Sequence, residues 1–144
     1  MAMMVDKVFI DTNVLVYLSD EKSKFYEDAY KKFMVLLSEK ELWFSYQVIR
    51  EFSVILSRSG RILNPLAPSE LVKAVIKWKK VLKVCDENKV VNERLMKLIE
   101  KYEIKGKRIH DANIVATMLS NGIKKIFTYN VDDFKNFAEI EIIK

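Results

Sequence analysis

One histidine, His110, and one cysteine, Cys85, are the only imidazole and thiol that the chain contains. An internal disulfide, a Cys-rich zinc site and any motif needing two histidines are therefore excluded, and a metal site here must be built from oxygen. Glycine is nearly as scarce. With Gly60, Gly106 and Gly122 as its three occurrences, neither a phosphate-cradling P-loop nor a dinucleotide Gly-x-Gly-x-x-Gly can form. No stretch approaches the roughly 18 apolar residues of a membrane span. The opening Met-Ala-Met-Met-Val-Asp also lacks a basic start followed by a signal-length apolar run. A cytoplasmic protein without a membrane partner is the expectation.

What is present fits one domain over residues 1–144. At 50% hydrophobic and 31% charged residues the chain can bury a core of its own, and no linker, repeat or low-complexity tract divides it. A formal charge of +5, from 25 Lys and Arg against 20 Asp and Glu, admits two readings. One is a polyanionic partner, the other a solvated Lys/Glu surface.

The sequence Val8-Phe9-Ile10-Asp11-Thr12-Asn13-Val14-Leu15-Val16-Tyr17 is an apolar run broken at its centre by a carboxylate and two small polar residues. Residues 8–10 read as a short buried parallel strand, since β-branched and aromatic residues stand together without alternation. Asp11 then falls at the strand's C-terminal end, the edge where open α/β sheets bind ligands, with Asn13 placed to cap a helix starting at Val14. Taken alone, Asp11 reads as a turn or cap residue.

Further along, Ala29, Phe33, Leu36 and Leu37 form one apolar stripe of a helix over residues 24–39. Residues 41–44 suggest a second strand, and Ser45 a cap for a helix over 47–57. In that helix Glu51 lies within or beside the stripe of Val48, Phe52 and Ile55, so it must be paired with a lysine, rotated clear of the core, protonated or bound to a cation. The loop-like 58–68 segment ends in Ser69, read as the cap of a helix over 70–80 with Leu71, Ala74, Val75 and Trp78 as its apolar face. Residues 81–84 suggest a third strand and 88–102 another helix, followed by a basic connector that includes Lys105, Lys107 and Arg108. Asp111 opens a largely apolar helix that Gly122 stops, and an Asp in a first turn also complements the helix dipole. A strand over 125–128 then leads into Tyr129-Asn130-Val131-Asp132-Asp133-Phe134, and 140–143 would be an edge strand.

Alternating strands and helices argue for an α/β sandwich with a mainly parallel sheet, which gathers the strand ends on one edge. Asp11, Glu51, Asp111 and the 130–133 corner all belong near that edge. Carboxylates sharing a pocket repel one another, and an all-oxygen donor set suits Mg²⁺ or Mn²⁺, which would let a phosphodiester be hydrolysed without a histidine pair. An aspartyl-nucleophile phosphatase fits less well, because Asp11-Thr12-Asn13 lacks a second Asp two residues on.

Four motifs, Phe9-Ile10-Asp11-Thr12-Asn13-Val14-Leu15, Ser45-Tyr46-Gln47-Val48-Ile49-Arg50-Glu51-Phe52, His110-Asp111-Ala112-Asn113 and Thr128-Tyr129-Asn130-Val131-Asp132-Asp133-Phe134, stand in an order and spacing that resembles the PIN-domain ribonucleases. The likeness extends over nearly the whole chain and is nearest to the VapC-type toxins of toxin–antitoxin pairs. It implies a three-layer PIN-like sandwich and a Mg²⁺- or Mn²⁺-dependent endoribonuclease. It also implies a homodimer and a small antitoxin that inserts into the active-site groove. By position, Asp11, Glu51 and Asp111 match the family's metal-binding acids, and Asn130 stands where the family often has Asp. Asp132 or Asp133 could then act through water, Thr12 and Thr128 match the small polar residues that border such sites, and Asn13 and Ser45 match structural caps. Arg58, Arg61, Lys77, Lys80, Lys105, Lys107 and Arg108 are candidates for guiding RNA. The alternative is a catalytically silent nucleic-acid-binding module of the same fold.

Overall fold

A computed structural model gives the fold and describes residues 5–58 and 64–143. Val8, Phe9 and Ile10 are each 0% exposed in β1 (Lys7–Ile10), which occupies the middle of a five-stranded sheet. A strand with neighbours on both edges and helices on both faces has no polar side to show, which is why its sequence does not alternate. The other strands are β2 (Glu41–Phe44), β3 (Lys83–Val84), β4 (Lys125–Phe127) and β5 (Glu141–Ile143), ordered β3-β2-β1-β4-β5 with every pair parallel.

Seven helices connect them among the described residues: α1 (Thr12–Leu18), α2 (Tyr26–Glu39), α3 (Tyr46–Ser57), α4 (Pro68–Val81), α5 (Lys89–Tyr102), α6 (Arg108–Ser120) and α7 (Val131–Phe134). The chain steps outward from β1 to β2 and β3, then returns across β1 to β4 and β5. Right-handed crossovers running in opposite directions put their helices on opposite faces. In agreement, α1 packs on α2 and α3 and α3 on α4, while α5 packs on α6. The order reverses between β1 and β4, so the helices leaving these strands diverge and open a crevice beyond Ile10 and Phe127.

Local chemistry sets most boundaries, and it corrects several expectations. Ser45 does cap α3, its hydroxyl accepting from Val48 N at 3.3 Å. Asn13 caps nothing: α1 starts at Thr12 and its cap is Asp11, whose Oδ1 accepts from Thr12 N at 2.8 Å. Ser69 is likewise inside its helix. Pro68 has a φ already set for a first helical residue and no N–H to leave unpaired, so α4 begins there, with Ala67 N donating to Glu70 Oε1 at 3.1 Å. That helix runs to Val81, which shortens the third strand to Lys83–Val84, and none of its residues is fully buried. Leu37 also departs from its expected stripe and is 38% exposed. At the end of α6, Gly122 takes φ +71°, with its N bonded to Leu119 O and Ile123 N to Met118 O, the paired closure that a left-handed residue permits.

Candidate active site

Asp11 leaves β1 at the crevice, and its main-chain N still donates to Phe127 O of β4 at 3.1 Å. Its side chain is 5% exposed and accepts three hydrogen bonds, from Thr12 N (2.8 Å), Asn13 Nδ2 (3.1 Å) and Thr128 Oγ1 (2.7 Å). Burial nonetheless pushes its pKa up to about 6, with the nearby Glu51 charge adding to the rise and the three donors opposing it. Asn13 joins the two strand ends: it also donates to Thr128 Oγ1 (3.2 Å), and its Oδ1 accepts from Tyr129 N (3.1 Å). Thr128, 2% exposed, accepts from Asn130 N at 3.0 Å and so shapes the corner that presents Asn130.

Glu51 projects from the half-buried border of α3. None of the ion pairs among the described residues involves it. Instead Thr12 Oγ1 donates to Oε2 at 2.9 Å and Gln47 Nε2 to Oε1 at 2.9 Å. Of the readings open to a glutamate at this position, pairing with a lysine is therefore not the one found. Asp111, in the first turn of α6, receives no hydrogen bond on its carboxylate from any described residue. Burial raises its pKa to about 6, helped by the charges of Asp133, Asp11 and Glu51 and opposed by Arg108. Acidic groups from β1, α3, α6 and α7 thus act on one another across the crevice.

A cavity of about 430 Å³ occupies that crevice. Asp11, Thr12, Asn13, Glu51, Asp111 and Asn130 line it, and Val54, Ile55 and Ile114 add an apolar wall. So does Arg50, which sequence reading did not single out. It is exposed, its guanidinium makes no hydrogen bond or ion pair with any described residue, and it is the sole cation among the described lining residues. No local signal marks it, since neighbours one residue apart on a helix do not share a face and only the packing of α3 brings Arg50 to the cavity beside Glu51. Gln47 and Asn113 were missed as well: Gln47, 6% exposed, donates to His110 O (2.9 Å) and accepts from Asn113 Nδ2 (2.7 Å).

Other candidates lie further off. Asp133 acts on Asp111 through its charge, whereas Asp132 has an 89% exposed side chain paired with Lys135 at 3.0 Å. Arg58, Lys77, Lys80, Lys105, Lys107 and Arg108 are exposed and none lines the cavity. Arg61 is outside the described residues.

The donor set suits a hard divalent cation, because every candidate ligand is an oxygen and the pKa values of Asp11 and Asp111 are raised by burial and like charge, a strain that a cation would relieve. As the side chains lie, however, no three acidic, histidine or cysteine residues among those described are grouped to enclose an ion. Both oxygens of Glu51 are engaged, by Thr12 and Gln47, as both oxygens of Asp11 are by Thr12, Asn13 and Thr128. Asp11, Glu51 and Asp111 are the residues that could hold the ion, with Glu51 oriented by Thr12 and Gln47.

A family model for the PIN domain matches residues 8–140. The chain belongs to the PIN-domain family. Solved structures agree in fold. The PIN domain aligns with VapBC2 from Rickettsia felis bound to a promoter DNA fragment at TM-score 0.71 and 16% identity, covering 95% of this chain and 97% of that one. With VapC20 of Mycobacterium tuberculosis, a Sarcin-Ricin loop cleaving toxin, the TM-score is 0.67 at 20% identity, covering 93% and 98%. DNA-bound VapBC from Salmonella typhimurium gives 0.67 at 20%, covering 96% and 97%. Comparison with curated proteins finds no match to this PIN domain.

Proposed function

We propose that this PIN domain is a divalent-metal-dependent endoribonuclease, hydrolysing RNA phosphodiester bonds as the toxin of a toxin–antitoxin pair in the cytoplasm. The carrying observation is that Asp11, Glu51 and Asp111, from three elements far apart in sequence, line one cavity that also contains an unpaired guanidinium. The fold is shared with a toxin that cleaves the Sarcin-Ricin loop and with VapBC complexes, which supports RNA as substrate and a small antitoxin as partner. A homodimer belongs to the same reading.

Mg²⁺ or Mn²⁺, when bound, supplies positive charge that offsets the carboxylates and polarises the reacting oxygens. Asp11 and Asp111 would hold it, with Glu51 beside them. Glu51, fixed by Thr12 and Gln47, orients the attacking water and takes its proton at a carboxylate oxygen. Arg50 pairs with a non-bridging phosphate oxygen, and the apolar wall excludes water behind it. Asn130 keeps the fourth position neutral, which lowers the repulsion and disfavours a second tightly held ion. His110 is exposed and has no histidine partner, so the acid–base work falls to carboxylates and water.

Purified protein assayed on a structured RNA pool should cleave with Mn²⁺ or Mg²⁺, stop in EDTA, and lose the activity in Asp111→Asn. Cleavage that survives both EDTA and Asp111→Asn would defeat the reading. That no three acidic, histidine or cysteine residues are grouped around an ion among the described residues favours a second reading, a PIN fold that binds nucleic acid without cutting it. Metal-independent RNA binding by a protein inert toward many RNAs would select that one.

A further inference from the structure

Gln47 is a polar side chain on the buried face of α3 with both amide N–H groups and its oxygen engaged. Nε2 faces two acceptors, Glu51 Oε1 and His110 O, each at 2.9 Å, while Oε1 faces the Asn113 Nδ2 donor at 2.7 Å. Reversing the amide would set oxygen against two acceptors and nitrogen against a donor, so one orientation is fixed. A carboxylate here would repel Glu51. An apolar side chain would take one donor from Glu51 and one from the His110 carbonyl, and an acceptor from Asn113.

The position of this amide matters more than its pairing. Among the described residues α3 packs chiefly on α1 and α4, and α6 chiefly on α5 and α7, so the two helices that carry Glu51 and Asp111 share little packing. Gln47 crosses between them. It grips one oxygen of Glu51 and, on α6, the carbonyl of the residue before Asp111 and the side chain two residues after it. Thr12 Oγ1 grips the other Glu51 oxygen from the Asp11 corner. Glu51 is thereby anchored toward both of the other acids.

We propose that Gln47 is a positioning residue: it orients the Glu51 carboxylate and sets its spacing from Asp111, and so governs how tightly the cavity takes a divalent cation. The proposal rests on the hydrolytic reading above for its ligand but not for its geometry. Residues that orient metal ligands typically change metal affinity by about 10–100-fold when replaced.

The test is calorimetric titration of Mn²⁺ into the full chain, comparing wild type, Gln47→Met, Glu51→Gln and the double variant. Gln47→Met should weaken binding by about tenfold or more in the wild type and by less than about twofold when Glu51 is already Gln. Asn113→Ala releases only the amide oxygen, should give a smaller loss of the same kind, and carries the test if Gln47→Met does not fold. A lowered Tm with unchanged Mn²⁺ affinity, or equal losses in both backgrounds, would overturn the proposal. Should the wild type bind no Mn²⁺, the metal-dependent reading fails by itself. Gln47 is then judged in the metal-free protein by NMR: its side-chain amide resonances should shift in Glu51→Ala, and their constancy would overturn the positioning role.

Discussion

Replacing Asp11 with Asn in the metal-free protein should stabilise it at neutral pH and destabilise it in acid. The pKa of Asp11 moves from 3.8 to about 6 on burial, so the folded chain binds its proton more tightly than the unfolded chain does. The ionised form therefore opposes folding. The opposition is absent below about pH 3.8, grows as pH rises, and is complete above about pH 6. A shift of about two units corresponds to about 3 kcal/mol, an order-of-magnitude figure. Asn removes that penalty while keeping an oxygen for Thr12 N and a nitrogen able to donate to Thr128 Oγ1. It also turns the nitrogen toward Asn13 Nδ2, a donor facing a donor, which costs about 1–2 kcal/mol. The net gain at about pH 7 is about 1–2 kcal/mol, or roughly 2–8 °C in Tm. At about pH 4 the wild-type penalty has largely gone and the mispaired amide remains, so the order reverses by about 1 kcal/mol. Thermal melts of both proteins in EDTA across this range should cross between those limits. A variant less stable by the same amount at every pH would refute the reasoning and leave Asp11 as a helix cap alone.

Asp111→Asn gives up no hydrogen bond to any described residue and should leave Tm unchanged or higher, while cleavage falls by about 10² or more; a kinetic assay beside a melt checks both. Mn²⁺ should raise the wild-type Tm and do so much less in Asp11→Asn, and equal shifts would rule out Asp11 as a ligand. Arg50→Ala should raise KM by about tenfold with kcat little changed, as expected for a phosphate contact made equally in ground and transition states. Removing Lys77, Lys80, Lys105 or Lys107 should each reduce the slope of log affinity against log salt by roughly 0.7 if it touches a single-stranded backbone, and an unchanged slope assigns that lysine to the solvated surface.

The second strand (41–44) and the Ser45 cap could be read directly because each depends on a few adjacent residues. Helix starts were harder. Asn13, Ser69 and Asp111 are all residue types favoured at caps, yet Asp11 takes the first cap, Pro68 displaces the second start, and α6 begins without a side-chain cap, three residues before Asp111. Propensity names the neighbourhood of a helix start, and competition among neighbouring residues picks the position. The same limit hid Arg50 and Gln47. Both sit beside Glu51 on one helix, but only the packing of α3 shows that Arg50 faces the cavity and that Gln47 faces α6.

The sequence by itself determined the parallel α/β architecture, through an apolar first strand that cannot alternate and helical stripes that must bury one face. It also pointed any metal site toward oxygen ligands, since the chain has a single histidine and a single cysteine. Only the tertiary structure decided that Asp11 is at once a helix cap and a buried acid, that Glu51 is held by Thr12 and Gln47, and that Asp132 pairs outward with Lys135 while Asp133 acts on Asp111. The physical reason is the range of the forces involved. Periodicity and hydropathy act along the chain and are written in consecutive residues, whereas desolvation and hydrogen bonding at the site join positions up to 117 residues apart and exist only once the sheet has brought β1 and β4 together.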